Sequence, residues 1–365
     1  MTAEGASAGT QGKAVGGGGA PREHGLHDRV RALRETALGV VRDALGPDVG
    51  RPYALLDFPC FPNVGDNAIW LGTRTALAAL GLPEPAYTCD NRTFEPEVLA
   101  QRVGDGPILL LGGGNFGDLF GKHQRLRERV ASEFPRNPVL QLPQTIHFVS
   151  PAAREAARRA LSGHRHLKVL VRDARSLEAA TRELGLDAIL CPDLSLGLGP
   201  RAQARPRRGG IVWLARRDAW SQNPPPTTAE DVAVSDWPTE RPSILRTRVR
   251  FLSSKIRRGQ TRGRPMRDTL SRLYDPLARW RVERGLRFAE RPAVLVTDRL
   301  HGHLLSLLTG TPHVLLDDAT GKVRAFHEAW TRGLPCVRWA EDSTQALTLA
   351  RELLREASPE GRSRA

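Results

Sequence analysis

The chain has 365 residues, 40% of them hydrophobic and 26% charged, with a formal net charge of +14. That length allows two domains of ordinary size, but no apolar run approaches the ~18 residues a membrane span requires. The first residues lack the basic, apolar, small-residue order of a signal peptide. Cys60, Cys89, Cys191 and Cys336 are scattered without metal-binding spacing. We therefore expect a cytoplasmic protein with free thiols and no metal.

Residues 1–25, rich in Gly, Ala and Ser, read as a disordered tail. Helical patterning covers 27–45 and stops at Gly46 and Pro47. A strand over 53–57 leads through a polar loop, 61–67, into a helix over 68–80. A second strand, 108–111, runs into Gly112, Gly113, Gly114 and Asn115. Consecutive glycines let backbone N–H groups approach an anion, and they serve equally well as a tight turn. The dinucleotide and P-loop fingerprints are absent. Strands at 139–142, 167–171 and 188–191 alternate with helices from 151 and from 176, which is the pattern of a parallel sheet covered on both faces.

Residues 201–208, basic and proline-containing, read as a linker. A new sheet starts at 210–215 and ends in Arg216 and Arg217. After a basic segment, the apolar strand 294–297 hands over to a leucine-rich helix through Asp298, Arg299, Leu300, His301, Gly302 and His303. A strand over 312–317, a helix ending near 330, a helix over 344–356 and a frayed tail at 358–365 complete the chain. The expected fold is α/β, with two Rossmann-like domains at 26–200 and 201–357.

The positive charge is local. Residues 241–291 hold 15 Arg and one Lys against four acids, a net of +12. Leu270, Leu273, Leu277, Trp280 and Leu286 recur there at helical spacing. The first reading is a solvated helical pair packed on the second domain. The other is a contact with an anionic membrane face. Nucleic-acid binding is not expected, because aromatic interleaving and helix-turn-helix or zinc patterns are missing.

Ligands of open α/β sheets bind at strand carboxyl ends, where helix N-termini favour anions. Arg299 and His301 stand at such a point. They read as an anion clamp beside a proton donor, or as a salt bridge and a helix cap. Together with Asn63, Val64, Gly65, Asp66 and Asn67, the Gly112–Asn115 turn, Leu142 to Thr145, Arg172 with Asp173 and Ser176, and Gly321 with Lys322, the Thr297 to His301 motif resembles the polysaccharide pyruvyl transferase family. Order and spacing agree from roughly residue 55 to 335, nearest to bacterial exopolysaccharide enzymes.

The resemblance implies a GT-B-like fold with the site in a cleft between two Rossmann-like domains. It implies phosphoenolpyruvate as donor and co-substrate, no other cofactor, and a glycan or lipid-linked oligosaccharide as acceptor. A pyruvate ketal forms and phosphate leaves. His301 matches the family's motif histidine and is assigned as general acid. Arg172 and Arg299 suit a phosphate and a carboxylate, since guanidinium binds planar anions bidentately. Leu300, Lys322 and one of Arg216 and Arg217, taken as Arg217, join them on the donor. Asn63, Gly65, Asp66, Gly113, Gly114 and Asn115 border the opposite wall or meet the acceptor. Asp66 is either a general base or a turn residue. His123, His147, His303 and His313 are further candidates, for which a core or surface place is the simpler reading. A GT-B-like glycosyltransferase is the alternative enzyme, though no acidic ribose-binding residue supports it.

Overall fold

The computed structural model describes residues 21–202, 209–216, 220, 222–225, 231–259 and 264–357. Arg217, most of the expected linker and the C-terminal tail lie outside the described residues, as do residues 1–20. The expected tail to residue 25 is corrected in part: helix α1 (Pro21–Leu45) begins at a proline, a residue pre-set for the first helical position.

Two parallel sheets follow. The first is built from β1 (Ala54–Leu56), α2 (Val64–Ala79), β2 (Tyr87–Cys89), α3 (Pro96–Val103), β3 (Ile108–Leu110), β4 (Gly113–Phe116), α4 (Gly121–Glu133), β5 (Val139–Ile146), α5 (Pro151–Leu161), β6 (Leu167–Val171), α6 (Ala174–Glu178) and β7 (Ala188–Leu190). Its strands run in the order β2-β1-β3-β5-β6-β7, with β4 added on β5. The order reverses between β1 and β3, so the crevice at their carboxyl ends is where this topology admits a ligand.

Residues 112–115, expected as a turn, are mostly strand. Pro143 gives β5 a residue with no N–H to donate, and the register shifts between Gln141 and Gln144. Beyond that shift Gly113 pairs with Gln144 and Phe116 with Ile146.

The second sheet comes from β8 (Gly209–Leu214), β9 (Val232–Ser235), α7 (Ile244–Arg257), α8 (Arg264–Glu290), β10 (Pro292–Thr297), α9 (Leu300–Leu308), β11 (His313–Leu315), α10 (Lys322–Phe326), β12 (Val337–Trp339) and α11 (Ser343–Ala357). The order is β12-β11-β10-β8-β9, which reverses between β8 and β10.

The basic segment forms the expected helical pair but packs against the first half, not on the second alone. Trp70 donates its indole N–H to Asp275 at 2.6 Å, Thr88 and Ser271 share a hydrogen bond of 2.7 Å, and Phe58 stacks on Tyr274 with ring centroids 3.8 Å apart. The inward face of α8 carries Leu270, Tyr274, Leu277 and Arg281, all buried, while Trp280 points outward. One apolar cluster continues from Leu55, Leu109, Leu140 and Leu170 of the first sheet, through α1, α2, α8 and α9, to Leu315 of the second. The outer faces of the two sheets have separate cores. Among the described residues no helix is long and apolar enough to cross a membrane.

Candidate active site

The two reversal points face one another through the first turns of α2 and α9. Asn63 precedes α2 and accepts from the N–H groups of Gly65 at 2.8 Å and Asp66 at 3.3 Å. That is an N-cap, so Asn63 and its neighbours start a helix rather than continue a loop, and the turn role belongs to Asn63 rather than Asp66. Gly65 is forced by close approach: a methyl group there would overlap the His301 ring. Arg281 of α8, buried beside Glu240, donates to the carbonyl of Pro59 at 3.2 Å and fixes the approach to this turn from behind.

Arg172 ends β6. Thr145 accepts from its Nε at 2.8 Å and Asp193 from its Nη1 at 2.6 Å, and the residue is only 2% exposed. Asp173 caps α6 by accepting from Ser176 N–H at 2.8 Å. The Ser176 hydroxyl accepts from Ile146 N–H at 2.9 Å, which locks β5 to the turn that presents Arg172. Gly114 leaves room for this guanidinium, since a Cβ there would lie 3.1 Å from Nη2. From the second half, Trp330 donates its indole N–H to the Arg172 carbonyl at 2.8 Å.

Asp193 is the residue the motifs do not reveal. It is fully buried, pairs with Arg172, and lies 3.9 Å from His301 Nε2. Burial works to raise its carboxyl, yet Arg172 and His301 hold it below the usual carboxylate range. Its only sequence signal is an acid two residues beyond an apolar strand end, at Cys191, Pro192 and Asp193.

His301 sits in the first turn of α9, and its Nε2 is buried without a hydrogen bond. Burial pushes its pKa down to about 4, against the pull of Asp193. Burial thus biases the ring toward its neutral form. Leu300 buries its side chain in the shared core, which leaves only its backbone to meet a ligand. The N-terminus of α9 has no side-chain cap.

The other cations are held by acids. Arg299 pairs with Asp236 at 2.6 Å and Lys322 with Asp318 at 2.5 Å. Asp318 also takes Arg216 at 3.1 Å, which joins Arg216 to this group. Arg172, Lys322 and His301 lie within range of one another's charge, and Lys322 also feels Arg216. Asp298 is fully buried, and among the described residues neither carboxyl oxygen has a hydrogen-bond partner. Burial raises it to about 6, opposed by Arg216 and Arg299.

On the facing wall, burial also raises Asp66 to about 6, opposed by His123 and Arg172. A Cβ on Gly113 would lie 3.6 Å from its carboxyl. The Asn115 side-chain oxygen is occupied by Arg127 at 3.1 Å and Gln144 at 2.8 Å, which makes Asn115 a support for β4. His123 belongs to this wall: its charge acts on Asp66, its Nδ1 is 2.6 Å from Asp57, and Asp57 has a positive φ of 75°. His303 and His313 are core residues, hydrogen-bonded to each other at 2.6 Å. His147 extends the pairing of β5 with β4, donating its N–H to the Phe116 carbonyl at 2.9 Å.

Cations from both sheets thus surround a histidine with a buried Nε2 and buried carboxyls, an arrangement able to hold a small polyanion and exchange a proton with it. A family model described as polysaccharide pyruvyl transferase matches residues 63–319. The chain is 28% identical over 306 residues to pyruvyl transferase 1 of Schizosaccharomyces pombe, covering 78% of this chain and 70% of that protein. It is 26% identical over 295 residues to the putative pyruvyl transferase EpsO of Bacillus subtilis, covering 79% and 88%. Its fold is similar to the crystal structure of a functionally uncharacterised Klebsiella pneumoniae protein, with a TM-score of 0.56 and 14% identity over 85% of this chain and 98% of that one.

Proposed function

The chain belongs to the polysaccharide pyruvyl transferase family and is a transferase, and from that premise we propose that it moves the pyruvyl group of phosphoenolpyruvate onto a sugar of an exopolysaccharide or its lipid-linked precursor. In this reading the two sheets are Rossmann-like domains of a GT-B-like enzyme, and the donor lies where their carboxyl ends meet. The observation that carries it is the juxtaposition of buried Arg172, from the first sheet, with His301 and Lys322 from the second.

The donor brings a phosphate and a carboxylate. Arg172, Arg299, Arg216 and Lys322 offer the fixed positive charge to hold both, and the uncapped N-terminus of α9 adds its dipole. Nearby negative charge raises the pKa of a histidine, so the arriving donor moves His301 from its resting value of about 4 toward the imidazolium. Asp193, 3.9 Å from Nε2, is placed to stabilise that charge. His301 then gives a proton to C3 of the enol phosphate, and C2 accepts the oxygen of one acceptor hydroxyl. Phosphate leaves as the second hydroxyl closes the ketal; of the two hydroxyl protons released, one replaces the proton that His301 gave to C3 and the other departs on the hydrogen phosphate. Asp66, its carboxyl drawn up to about 6, is suited to take a proton from a hydroxyl. The reaction calls for no resident cofactor or metal. The enzyme works in the cytoplasm, with peripheral contact between residues 241–291 and the anionic inner membrane face.

Calorimetry with phosphoenolpyruvate tests the reading. Wild type is expected to bind, Arg299→Ala to lose binding, and His301→Ala to keep most of it while losing turnover. No heat with phosphoenolpyruvate, alongside heat with a nucleotide sugar, would overturn the assignment in favour of glycosyl transfer.

A further inference from the structure

Helix α7 has two apolar faces, and only one is covered. Val249, Ser253 and Ile256 are buried against the protein, and Ser253 donates to Asp90, just beyond β2, at 2.8 Å. On the opposite side Ile244 is 75% exposed and Phe251 57% exposed. With Arg248, Lys255 and Arg258 they recur at i, i+4, i+7, i+11 and i+14, a single stripe along the outer face. The Lys255 ammonium stands 5.5 Å from the centre of the Phe251 ring. The helix contains no acidic residue, and among the described residues Arg248, Arg250, Arg257 and Arg258 are exposed.

We propose that this outer stripe of α7 docks the protein on an anionic lipid surface, with Ile244 and Phe251 entering the headgroup layer and the flanking cations meeting lipid phosphates. An exposed aliphatic residue and an aromatic set among cations on one helical face match what lies in a membrane interface. A single-stranded nucleic acid prefers a row of stacking aromatics, and Ile244 offers none. The cavity of about 740 Å³ on α8 also gathers arginines around Trp280, but Glu283 there already engages Arg201 and Arg287. Among the described residues no acidic side chain forms an ion pair with the cations of α7. Because Ser253 ties the inner face of α7 to the carboxyl edge of the first sheet, docking would bring the crevice toward the lipid. The benefit to a lipid-linked acceptor rests on the pyruvyl transfer reading, whereas the docking itself does not.

The test is sedimentation of the full chain with vesicles of phosphatidylglycerol and phosphatidylcholine, or of phosphatidylcholine alone, at about 150 mM salt. Retention on the anionic vesicles only is expected. It should fall roughly tenfold or more in the Ile244→Ser/Phe251→Ser double variant, and roughly fivefold for each of Arg248→Gln and Arg258→Gln. Transfer to a soluble acceptor should be unchanged in all of these, so a failed activity assay and a failed vesicle assay report on different ideas. Circular dichroism checks that the variants fold. Absence of retention would overturn the proposal. So would retention indifferent to Ile244 and Phe251, the mark of adsorption by net charge alone. If the apolar variant instead loses affinity for duplex or single-stranded DNA, the stripe is a nucleic-acid surface.

Discussion

At position 65 the chain has no choice of side chain. The first turn of α2 passes so close to His301 that a methyl would enter the ring, and neither helix is free to retreat, because Val64 and Leu300 are buried in the shared core. Gly65→Ala should therefore leave the fold in place but displace the imidazole by a fraction of an ångström to an ångström. A misplacement of that size costs about two orders of magnitude in rate, so kcat is expected to fall by about that factor while phosphoenolpyruvate still binds. Unchanged kcat would mean that His301 does not act from this position. The pairing was not legible in the sequence, where Gly65 and His301 are 236 residues apart and glycine in a polar loop reads as a turn. What was legible is that both stood at strand ends. That Arg172 and Lys322 come near His301 was legible too, since cations at strand ends gather at one crevice. Asp193 was not, because a lone acid after a strand carries no pattern until its partners are known.

Helix α8 shows where periodicity stops being informative. Its apolar repeat correctly announces a buried face but is silent on what covers it, and the answer is α2 and the loop behind Asn63 rather than the second sheet alone. Arg281 makes this contact specific. It is buried with Glu240, and removing one member of such a pair leaves a charge stranded. Arg281→Met should lower unfolding free energy by about 3 kcal/mol in chemical denaturation, and Glu240→Gln in the same chain should restore part of it. A cost below about 0.5 kcal/mol, the range of a surface substitution, would show that the pair is not anchored as described. Strands β2, β9 and β12 escaped sequence reading because they lack the leucine and isoleucine run that marked the equally short β1, β3 and β7.

Across the molecule, the two sheets were expected as separate domains, each with its own core. Their outer faces do have separate apolar layers, but the inner layer is common to both and runs through α1, α2, α8 and α9. Unfolding either half exposes that layer, so the two should melt together. Scanning calorimetry is expected to give one transition with calorimetric and van't Hoff enthalpies in agreement, and two resolved peaks would contradict a shared core. A smaller feature of this seam has an optical consequence. Trp330, on the second half, holds the backbone carbonyl of Arg172 on the first, and Arg172 lies in the crevice assigned to the donor. The chain thus carries its own fluorophore at the join. Emission lost in Trp330→Phe would isolate its contribution from the other six tryptophans, and filling of the crevice could be followed by light, without a label and without waiting for turnover.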